Sequence, residues 1–542
     1  MRPGSLPSGR AGAGGAPGGP GPEVPLPAGF FIELDADSRM VAPGVLLGGS
    51  PARLLRLSPA GRRALAEILG GPVRSAAAGR LARHLTDVGI AHPRPPAGPP
   101  RPTVTIVIPV RDRPAELERC LSSLGQDYPV IVVDDGSGDP AAAARACQRH
   151  CARLVRRPVP GGPGPARGDG LALVRTPLVA FLDSDCVAGP DWISKLAGHF
   201  ADPMVAAVAP RVRPLTGPGA VGRYLDARAP ADMGPRPARV APRTRQSYVP
   251  TAALLARADA VTGAGGFDPT LRFGEDVDLI WRLTSAGWRV RYDPAAEVHH
   301  AEPTTWRKAL ARRYRYGNSA APLAVRHPGE VPPLIVQPWP AAVVAAALAA
   351  RPALALAAYA AGAWRLRRLA REWGLPRRGA LRPMATVVAQ TWLGAGRWTA
   401  QFALPAAAAV MVRPGRRRRV LRRLALTGLL VAPPAVTWLR SHSRLDPVRF
   451  TLAYLADEAA YGAGVCRGAW RERTAAPLLP LLAWGGGPGR VSGPRPSLRA
   501  TLRSSAASWP RSARLSDAAI RSSCCLVTSP TWASRSLPPR VR

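Results

Sequence analysis

A short acidic triplet is the feature of this sequence best suited to do chemistry. Asp183-Ser184-Asp185 directly follows the apolar run Leu178–Leu182. Two carboxylates one residue apart at the end of a strand can place oxygens on a single Mg²⁺ or Mn²⁺ that also binds a diphosphate. Such an ion offsets the negative charge that grows on a departing diphosphate. Acidic turns are common in proteins. The triplet therefore indicates a metal site only if neighbouring motifs also point to one.

The elements that must position this triplet are those of an α/β sheet. An apolar strand over Val104–Ile108 ends at Pro109, and a helix is predicted to begin at Pro114. A second apolar strand, Val130–Val133, is followed by Asp134-Asp135. Continuous apolar runs bounded by turn residues predict parallel strands that are covered on both faces. Ligands of doubly wound sheets bind at the carboxyl ends of the strands, where these acidic pairs lie.

Composition limits the classes of function. The chain has 542 residues, which leaves room for two or three domains, and a formal net charge of +39. Such a charge favours a nucleic acid or an anionic membrane as partner. However, Lys195 and Lys308 are the only lysines, and Ala, Gly and Pro are abundant with Arg, which indicates biased codon usage. No aromatic–basic stacking pattern accompanies the charge, so we predict no nucleic-acid partner.

Cysteine usage and the composition of the N-terminus indicate in which cellular compartment the protein is expected. The seven cysteines show neither zinc-ligand spacing nor a disulfide framework, so a reducing cytosol is expected. The Gly/Pro-rich N-terminus has no apolar core and predicts no secretory signal.

The chain divides into five predicted segments. They are a flexible lead over 1–22, a small module over 23–98, a catalytic domain over 102–330, an apolar helical region over 331–484 and a disordered tail over 485–542. In the module, strands at Phe30–Leu34 and Val45–Leu47 precede amphipathic helices, an order that indicates a winged-helix-like unit. The Pro-rich stretch Pro93–Pro102 is predicted to be a stiff linker.

The region after residue 331 favours a membrane surface. Its apolar segments are Trp339–Trp364, Val387–Val412 and Leu424–Leu439, and Arg clusters flank them. Such clusters suit the cytoplasmic face, so we predict attachment to the inner face of the cell membrane. The segments are short or interrupted by charge or proline, so a soluble Ala-rich helical domain is the alternative.

A series of motifs surrounds the acidic triplet in a fixed order. It comprises Ile108-Pro109-Val110-Arg111, Val132-Val133-Asp134-Asp135-Gly136-Ser137, Ala166-Arg167-Gly168-Asp169-Gly170, Phe181-Leu182-Asp183-Ser184-Asp185, Gly265-Gly266-Phe267-Asp268, Gly274-Glu275-Asp276-Val277-Asp278 and Val298-His299-His300. In this order and at these intervals, the series resembles the family 2 glycosyltransferases over roughly two hundred residues. The resemblance implies the GT-A fold, a Rossmann-like domain that binds nucleotide-diphospho-sugars.

The same resemblance implies donor-binding roles. Asp135 corresponds to the carboxylate that bonds the uracil ring of a UDP-sugar, beside Pro109 and Arg111. A fixed carboxylate that accepts from a ring N–H selects uridine over bases that lack this donor. Arg167 corresponds to the basic residue near the base and diphosphate, although Gly168 replaces the Asn that usually follows.

The resemblance also implies a metal set. Asp183 faces the ribose or the metal, Ser184 belongs to the sugar-nucleotide site, and Asp185 is the principal ligand of Mg²⁺ or Mn²⁺. His299 corresponds to the third metal ligand, with His300 as its competitor.

Asp276 is the expected general base. It takes the proton from an acceptor hydroxyl while that oxygen attacks the anomeric carbon opposite the leaving diphosphate. Direct displacement with one base inverts the configuration of the sugar. Glu275 is a candidate to share this role, and Asp278 is expected to orient the start of a helix, where the helix dipole favours a carboxylate.

The order of domains gives a closer resemblance. A small N-terminal module, a family 2 domain and an apolar Arg-rich region together are similar to the glycosyltransferases of mycofactocin biosynthesis. Residues 23–98 also resemble the small winged-helix chaperones that hold precursor peptides. This implies UDP-glucose as donor and β-1,4-linked glucose units in the product. It further implies a peptide-derived redox cofactor as acceptor and a precursor peptide as a possible partner.

Two other functions fit parts of the sequence. The apolar region after residue 331 suits a cell-envelope enzyme, such as a rhamnosyl or galactofuranosyl transferase with a lipid-linked acceptor. A non-catalytic binding or scaffold protein could keep the same fold. The presence of Asp135, Asp183, Asp185 and Asp276 argues against the second alternative, because a protein without activity has no need of all four.

Overall fold

The structure is a computed structural model that describes residues 24–96, 102–372, 381–412 and 417–483. The predicted flexible lead over 1–22 and disordered tail over 485–542 lie outside the described residues.

The N-terminal module is a compact β/α unit. Its elements are β1 (Phe31–Leu34), β2 (Arg39–Ala42), β3 (Val45–Gly48), β4 (Arg53–Arg56), α1 (Pro59–Gly70), α2 (Ala76–Asp87) and β5 (Ala91–Arg94). Strands β2, β3 and β4 pair antiparallel, and β1 pairs antiparallel with β5. Ser58 and Ser75 cap the helices by accepting hydrogen bonds from backbone N–H groups of the first turn. Phe30, Leu46 and Leu85 belong to a core of the module's own.

Ion pairs fix this module against the catalytic domain. The guanidinium of Arg83 binds both carboxylate oxygens of Asp202, at 2.8 and 2.7 Å, and both side chains are buried. Asp87 lies 2.7 Å from Arg289, and Asp35 accepts from Arg245 at 2.7 Å. The module is therefore docked by directed charge contacts.

We expect Arg83→Met to lower the free energy of unfolding by about 3 kcal/mol, because it leaves the carboxylate of Asp202 buried without its cation. Lys195→Met is the matched control, since Lys195 and Asp191 form an exposed pair that contributes at most about 1 kcal/mol. Chemical denaturation of both variants measures the difference. Equal losses in the two variants would contradict the predicted importance of the buried pair.

The catalytic domain is built on a mixed sheet. Its strands are β6 (Val104–Val110), β7 (Val130–Asp134), β8 (Arg153–Arg156), β9 (Leu178–Leu182), β10 (Cys186–Ala188), β11 (Val205–Leu215), β12 (Ala238–Val240), β13 (Ala253–Arg257) and β14 (Arg289–Ala301). The strand order is β10-β14-β11-β13-β9-β6-β7-β8, and β12 pairs with β14. Strands β9, β6, β7 and β8 are parallel, whereas β13 runs antiparallel to both β9 and β11. The α/β class is confirmed.

Helices cover both faces of this sheet. They are α3 (Pro114–Leu124), α4 (Pro140–Arg149), α5 (Pro163–Ala172), α6 (Trp192–Ala197), α7 (Ala220–Arg228), α8 (Ala258–Gly263), α9 (Glu275–Ser285), α10 (Trp306–Asn318) and α11 (Ala320–Arg326). Along β6, Ile106 and Ile108 pack into the core on one face, and Val107 packs into the core on the other. Burial on both faces explains why these strands are continuously apolar.

The C-terminal region is helical. Its elements are β15 (Ile335–Val336), α12 (Pro338–Leu348), α13 (Pro352–Glu372), α14 (Leu381–Phe402), α15 (Leu404–Val412), α16 (Arg417–Ser441), α17 (Pro447–Arg471) and β16 (Leu481–Leu482). Among the described residues, α16 alone has the length and apolar character of a membrane span, over Arg419–Ser441, where an 18-residue window has a mean hydropathy of 1.3. Pro433 and Pro434 lie inside this helix.

Candidate active site

The residues predicted to bind donor and metal lie at the carboxyl ends of β6, β7 and β9. A cavity of about 1530 Å³ opens there. Its wall includes Pro109 at the end of β6 and Arg111 just after it, Asp135 after β7, and the triplet 183–185 after β9. Arg167, Glu275, Asp276 and His300 line the same cavity. Because β6, β7 and β9 are parallel, their ends meet at one edge of the sheet, as the sequence predicted.

A group suited to a divalent cation lies in this cavity. Asp183, Asp185 and His300 each offer one ligand atom, and these atoms all lie within 4.8 Å of one another. The Nε2 atom of His300 is 3.4 Å from Asp185 Oδ1, and Arg113 forms an ion pair with the same carboxylate. Two carboxylates and one imidazole fit Mn²⁺ or Mg²⁺ as ligand types.

The histidine of this group is His300 and not His299, which corrects the sequence prediction. Successive residues of a strand point to opposite faces, so β14 can direct only one of two neighbouring histidines to the metal group. Glu302, two residues further on, lies on the same face, and its Oε1 is 3.2 Å from His300 Nδ1. Burial alone lowers the pKa of His300, but the carboxylates of Glu302 and Asp185 outweigh it and raise that pKa. The carboxylate of Glu302 also orients the ring.

Asp135 is held rigidly by a turn. Its side chain is buried, Oδ1 accepts from the backbone N–H of Gly161 at 2.8 Å, and Oδ2 accepts from that of Gly162 at 2.7 Å. Arg157 forms an ion pair with the same carboxylate. This carboxylate is therefore fixed at the strand end. Arg111, by contrast, is exposed and lies 3.5 Å from Asp112.

Arg167 links the metal group to the start of α9. Its buried guanidinium bonds Asp183 and lies 2.9 Å from Glu275 Oε1. Burial lowers the pKa of Arg167, but these carboxylates outweigh it and raise that pKa, so the residue stays charged. Because Glu275 is committed to this ion pair, it is better placed to position Arg167 than to accept a proton.

Asp276 is a carboxylate of the cavity whose pKa is raised. It is half-buried in the first turn of α9, where its Oδ1 accepts from the backbone N–H of Val277 at 2.8 Å. Burial first, then the negative charge of Glu275, raises its pKa to about 7 despite the opposing charge of Arg167. A base with a pKa near neutrality is well suited to accept a proton at physiological pH. Asp278 instead binds Arg282 and His327, each at 2.8 Å, and has a structural role.

Sequence reasoning missed two functional neighbours. Arg113 binds Asp185, although it stands only two residues after Arg111. Glu302 supports His300, and its separation by two residues along a strand was a usable signal of a shared face.

Comparison with known proteins identifies the family of the chain. The profile of the family described as "Glycosyl transferase family 2" matches residues 105–260. The fold and the site define a GT-A glycosyltransferase, and the chain belongs to glycosyltransferase family 2. It is 40% identical over 476 residues to the Pre-mycofactocin glycosyltransferase of Mycobacterium tuberculosis (strain ATCC 25618 / H37Rv), a match that covers 84% of this chain and 98% of that protein.

Other matches are more distant. Validoxylamine A glucosyltransferase of Streptomyces hygroscopicus subsp. limoneus is 31% identical over 125 residues, which cover 21% of this chain and 28% of that one. Among solved structures, the mannosyltransferase PcManGT from Pyrobaculum calidifontis, in complex with GDP-Man and Mn²⁺, aligns with a TM-score of 0.40 and 21% identity. That alignment covers 68% of this chain and 88% of the other.

Proposed function

We propose that the chain transfers glucose from UDP-glucose to a hydroxyl of a peptide-derived redox cofactor, the precursor of mycofactocin. The transfer inverts the sugar's configuration and adds β-1,4-linked units. The observation that carries this proposal is the 40% identity to Pre-mycofactocin glycosyltransferase across 98% of that relative. The match is too long to come from the family 2 domain alone, because the family profile covers only residues 105–260.

The cavity supports the donor half of this reaction. Asp135 accepts from the ring N–H of uracil, and Arg167 contributes positive charge beside the diphosphate. Asp183, Asp185 and His300 are the residues that hold Mg²⁺ or Mn²⁺, which when bound offsets the charge of the leaving diphosphate.

The cavity also supports the acceptor half. Asp276 accepts the proton of the attacking hydroxyl, and Arg167 offsets part of the negative charge of Asp183 and Glu275 beside it. The attacking oxygen forms a bond to the anomeric carbon while the bond to the diphosphate oxygen breaks. A single displacement of this kind requires one base and inverts the configuration.

We expect His300→Ala to raise the Mn²⁺ concentration needed for half-maximal binding by roughly ten- to a hundred-fold, the range seen when groups supporting a metal site are removed. His299→Ala is the matched control, since His299 lies on the opposite face of the same strand. Calorimetric titration of Mn²⁺ into both variants measures the effect. If His299→Ala weakens binding and His300→Ala does not, the assignment on β14 is wrong.

A donor screen tests the proposed function. Diphosphate release is measured for a panel of UDP-, GDP- and dTDP-sugars, with and without the pre-mycofactocin acceptor. We expect release from UDP-glucose that depends on the acceptor, and NMR of the first product should show a β-anomeric proton. Acceptor-dependent release from a GDP- or dTDP-sugar instead would overturn the donor assignment.

The N-terminal module is proposed to hold the precursor peptide or the peptide-derived part of the acceptor. Asp37 lies 3.1 Å from Arg236, and Asp35 lies 2.7 Å from Arg245; both arginines line the cavity. A ligand on the module would thus lie near the cavity rim. Fluorescence titration with the precursor peptide tests this: the full chain should bind it, and binding that persists after the module is removed would contradict the proposal.

Helix α16 supports attachment to the inner face of the cytoplasmic membrane, and it favours a cell-envelope transferase with a lipid-linked acceptor as the second candidate function. Only 22% of the most apolar 18-residue window within Arg419–Ser441 is buried. Cell fractionation at physiological salt shows whether the chain is attached to the membrane or soluble. Recovery of the full chain in the soluble pool would contradict attachment and would leave the lipid-linked acceptor without support.

A further inference from the structure

The cavity extends well beyond the donor-binding residues. Its far wall is formed by the C-terminal region and includes Gln401 of α14, Thr437 of α16, and Tyr454 and Tyr461 of α17. Its volume of about 1530 Å³ exceeds the roughly 300–1,000 Å³ of a pocket for one small ligand. The cavity therefore has room for a donor and a second molecule.

Helix α17 is held against α10 by contact between their backbones. A Cβ atom on Gly317 of α10 would lie 2.1 Å from the carbonyl oxygen of Tyr461, and one on Gly464 of α17 would lie 2.0 Å from the carbonyl oxygen of Tyr314. Both distances are far below contact, so any larger residue would push the helices apart. The close approach places Tyr461 next to the residues of α10 that line the cavity.

Buried ion pairs also fix helix α17, to α7, α14 and α10. Glu458 of α17 is fully buried, bonds Arg228 of α7, and lies 3.0 Å from Arg397 of α14. Asp457 lies 2.9 Å from Arg313 of α10. The guanidinium of Arg313 lies 4.9 Å from the centre of the Tyr461 ring. Helix α17 is thus a fixed wall of the cavity.

Tyrosines from separate parts of the fold meet in the cavity that Asp276 also lines. They are Tyr248 from the segment between β12 and β13, Tyr316 from α10 and Tyr461 from α17, and all of them line the cavity. Burial raises the pKa of Tyr248, and the nearby Asp276, Tyr461 and Tyr316 raise it further. Burial and Asp276 also raise the pKa of Tyr316, against the effect of Arg312. These hydroxyls therefore stay protonated and can donate hydrogen bonds.

We infer that Tyr461, with Tyr316 and Tyr248, forms the binding site for the acceptor, and that the acceptor unit bound there is a sugar ring carrying the attacking hydroxyl. A tyrosine offers an apolar ring edge and face together with a polar hydroxyl, which suits a ring bearing both C–H and O–H groups. The hydroxyl that attacks must approach Asp276, which interacts electrostatically with Tyr248 and Tyr316, and Tyr461 interacts in the same way with Tyr248. The inference rests on the proposed function and adds that the C-terminal helix completes the acceptor site.

The test uses full-length Tyr461→Leu and Tyr461→Phe, with Trp470→Leu as matched control, because Trp470 lies on the same helix and is 81% exposed. The acceptor probe is phenyl β-glucoside, and the donor is UDP-glucose with Mn²⁺. We expect Tyr461→Leu to raise the KM for the probe about ten-fold, the loss typical of a buried aromatic anchor. Tyr461→Phe should raise it less, the Kd of UDP-glucose should change by less than about two-fold, and Trp470→Leu should match the unmodified protein.

An unchanged probe KM in Tyr461→Leu, or an equal loss of donor affinity, would overturn the inference. Should Tyr461→Leu fail to fold, Tyr316→Leu on α10 is measured in its place with the same expectation. Should the unmodified protein transfer no sugar to the probe from any donor, calorimetry of phenyl β-glucoside alone decides the site, and the donor screen with the pre-mycofactocin acceptor decides the proposed function. Affinity for the probe that is equal in the unmodified protein and in Tyr461→Leu would then overturn the inference.

Discussion

Asp276→Asn is expected to reduce sugar transfer by roughly a hundred- to ten-thousand-fold, the range for loss of a positioned general base. The swap to Asn keeps the shape of the side chain and removes its basicity. Asp276 is not among the residues grouped for a metal, and its carboxylate accepts from the N–H of Val277, so donor affinity should be almost unchanged. A transfer assay beside calorimetry with UDP-glucose and Mn²⁺ measures both quantities.

Glu275→Gln changes the neighbouring carboxylate and serves as the comparison for Asp276→Asn. It weakens the ion pair to Arg167, which also binds Asp183, so we expect it to lower donor affinity more than Asp276→Asn does. If Asp276→Asn transfers sugar at the normal rate, Asp276 is not the base and Glu275 becomes the candidate. Loss of donor affinity in Asp276→Asn would place Asp276 in the donor site.

The pH profile offers an independent check of Asp276. A base works in its ionised form, so kcat/KM should rise with pH through the region of its pKa, which is about 7 in the free protein. A divalent cation bound near Asp183 removes part of the negative charge that raises this pKa, so added metal should shift the midpoint downward. A profile in which Asp276→Asn keeps the same ascending limb would contradict the assignment.

The strand ends of the catalytic domain were predictable from the sequence, whereas the far wall of the cavity was not. Strands β6, β7 and β9 are buried on both faces, so a continuous apolar run marks each one and the next polar residue marks its end. That is why Pro109, Asp135 and Asp183 were located correctly at the cavity. The antiparallel strand β13, Ala253–Arg257, lies between β9 and β11. It is an apolar run as well, but its Ala and Leu residues favour a helix, so its composition did not indicate a strand.

Other features depend on tertiary contacts that have no local pattern. The choice between His299 and His300 depends on which face of β14 meets the metal group. The placement of Tyr461 depends on close backbone contact at Gly317 and Gly464, far apart in the chain. A glycine in a helix predicts weaker helix formation, not a particular neighbour. Only the assembled fold shows that α17 belongs to the catalytic cavity.

Asp185→Ala is expected to lower transfer by at least about a hundred-fold, since metal stabilisation of a leaving group supplies several kcal/mol and each 1.36 kcal/mol is ten-fold in rate. Removing Asp185 takes one of the grouped ligands and leaves Asp183 and His300, of which Asp183 is already bonded to Arg167. The two remaining ligands should hold Mn²⁺ weakly, and Arg113 loses its carboxylate partner and adds uncompensated positive charge beside them.

The metal and the fold can be separated experimentally. Glu116→Ala is the matched control, because Glu116 lines the same cavity but is not part of the metal group. Calorimetry with Mn²⁺ should show binding lost in Asp185→Ala and kept in Glu116→Ala, and a transfer assay in excess chelator should abolish turnover of the unmodified protein. Full turnover in chelator would show that transfer needs no metal. Tight Mn²⁺ binding by Asp185→Ala would instead show that other residues of the cavity hold the metal. Both carboxylates of the triplet are required only if both contact the same ion.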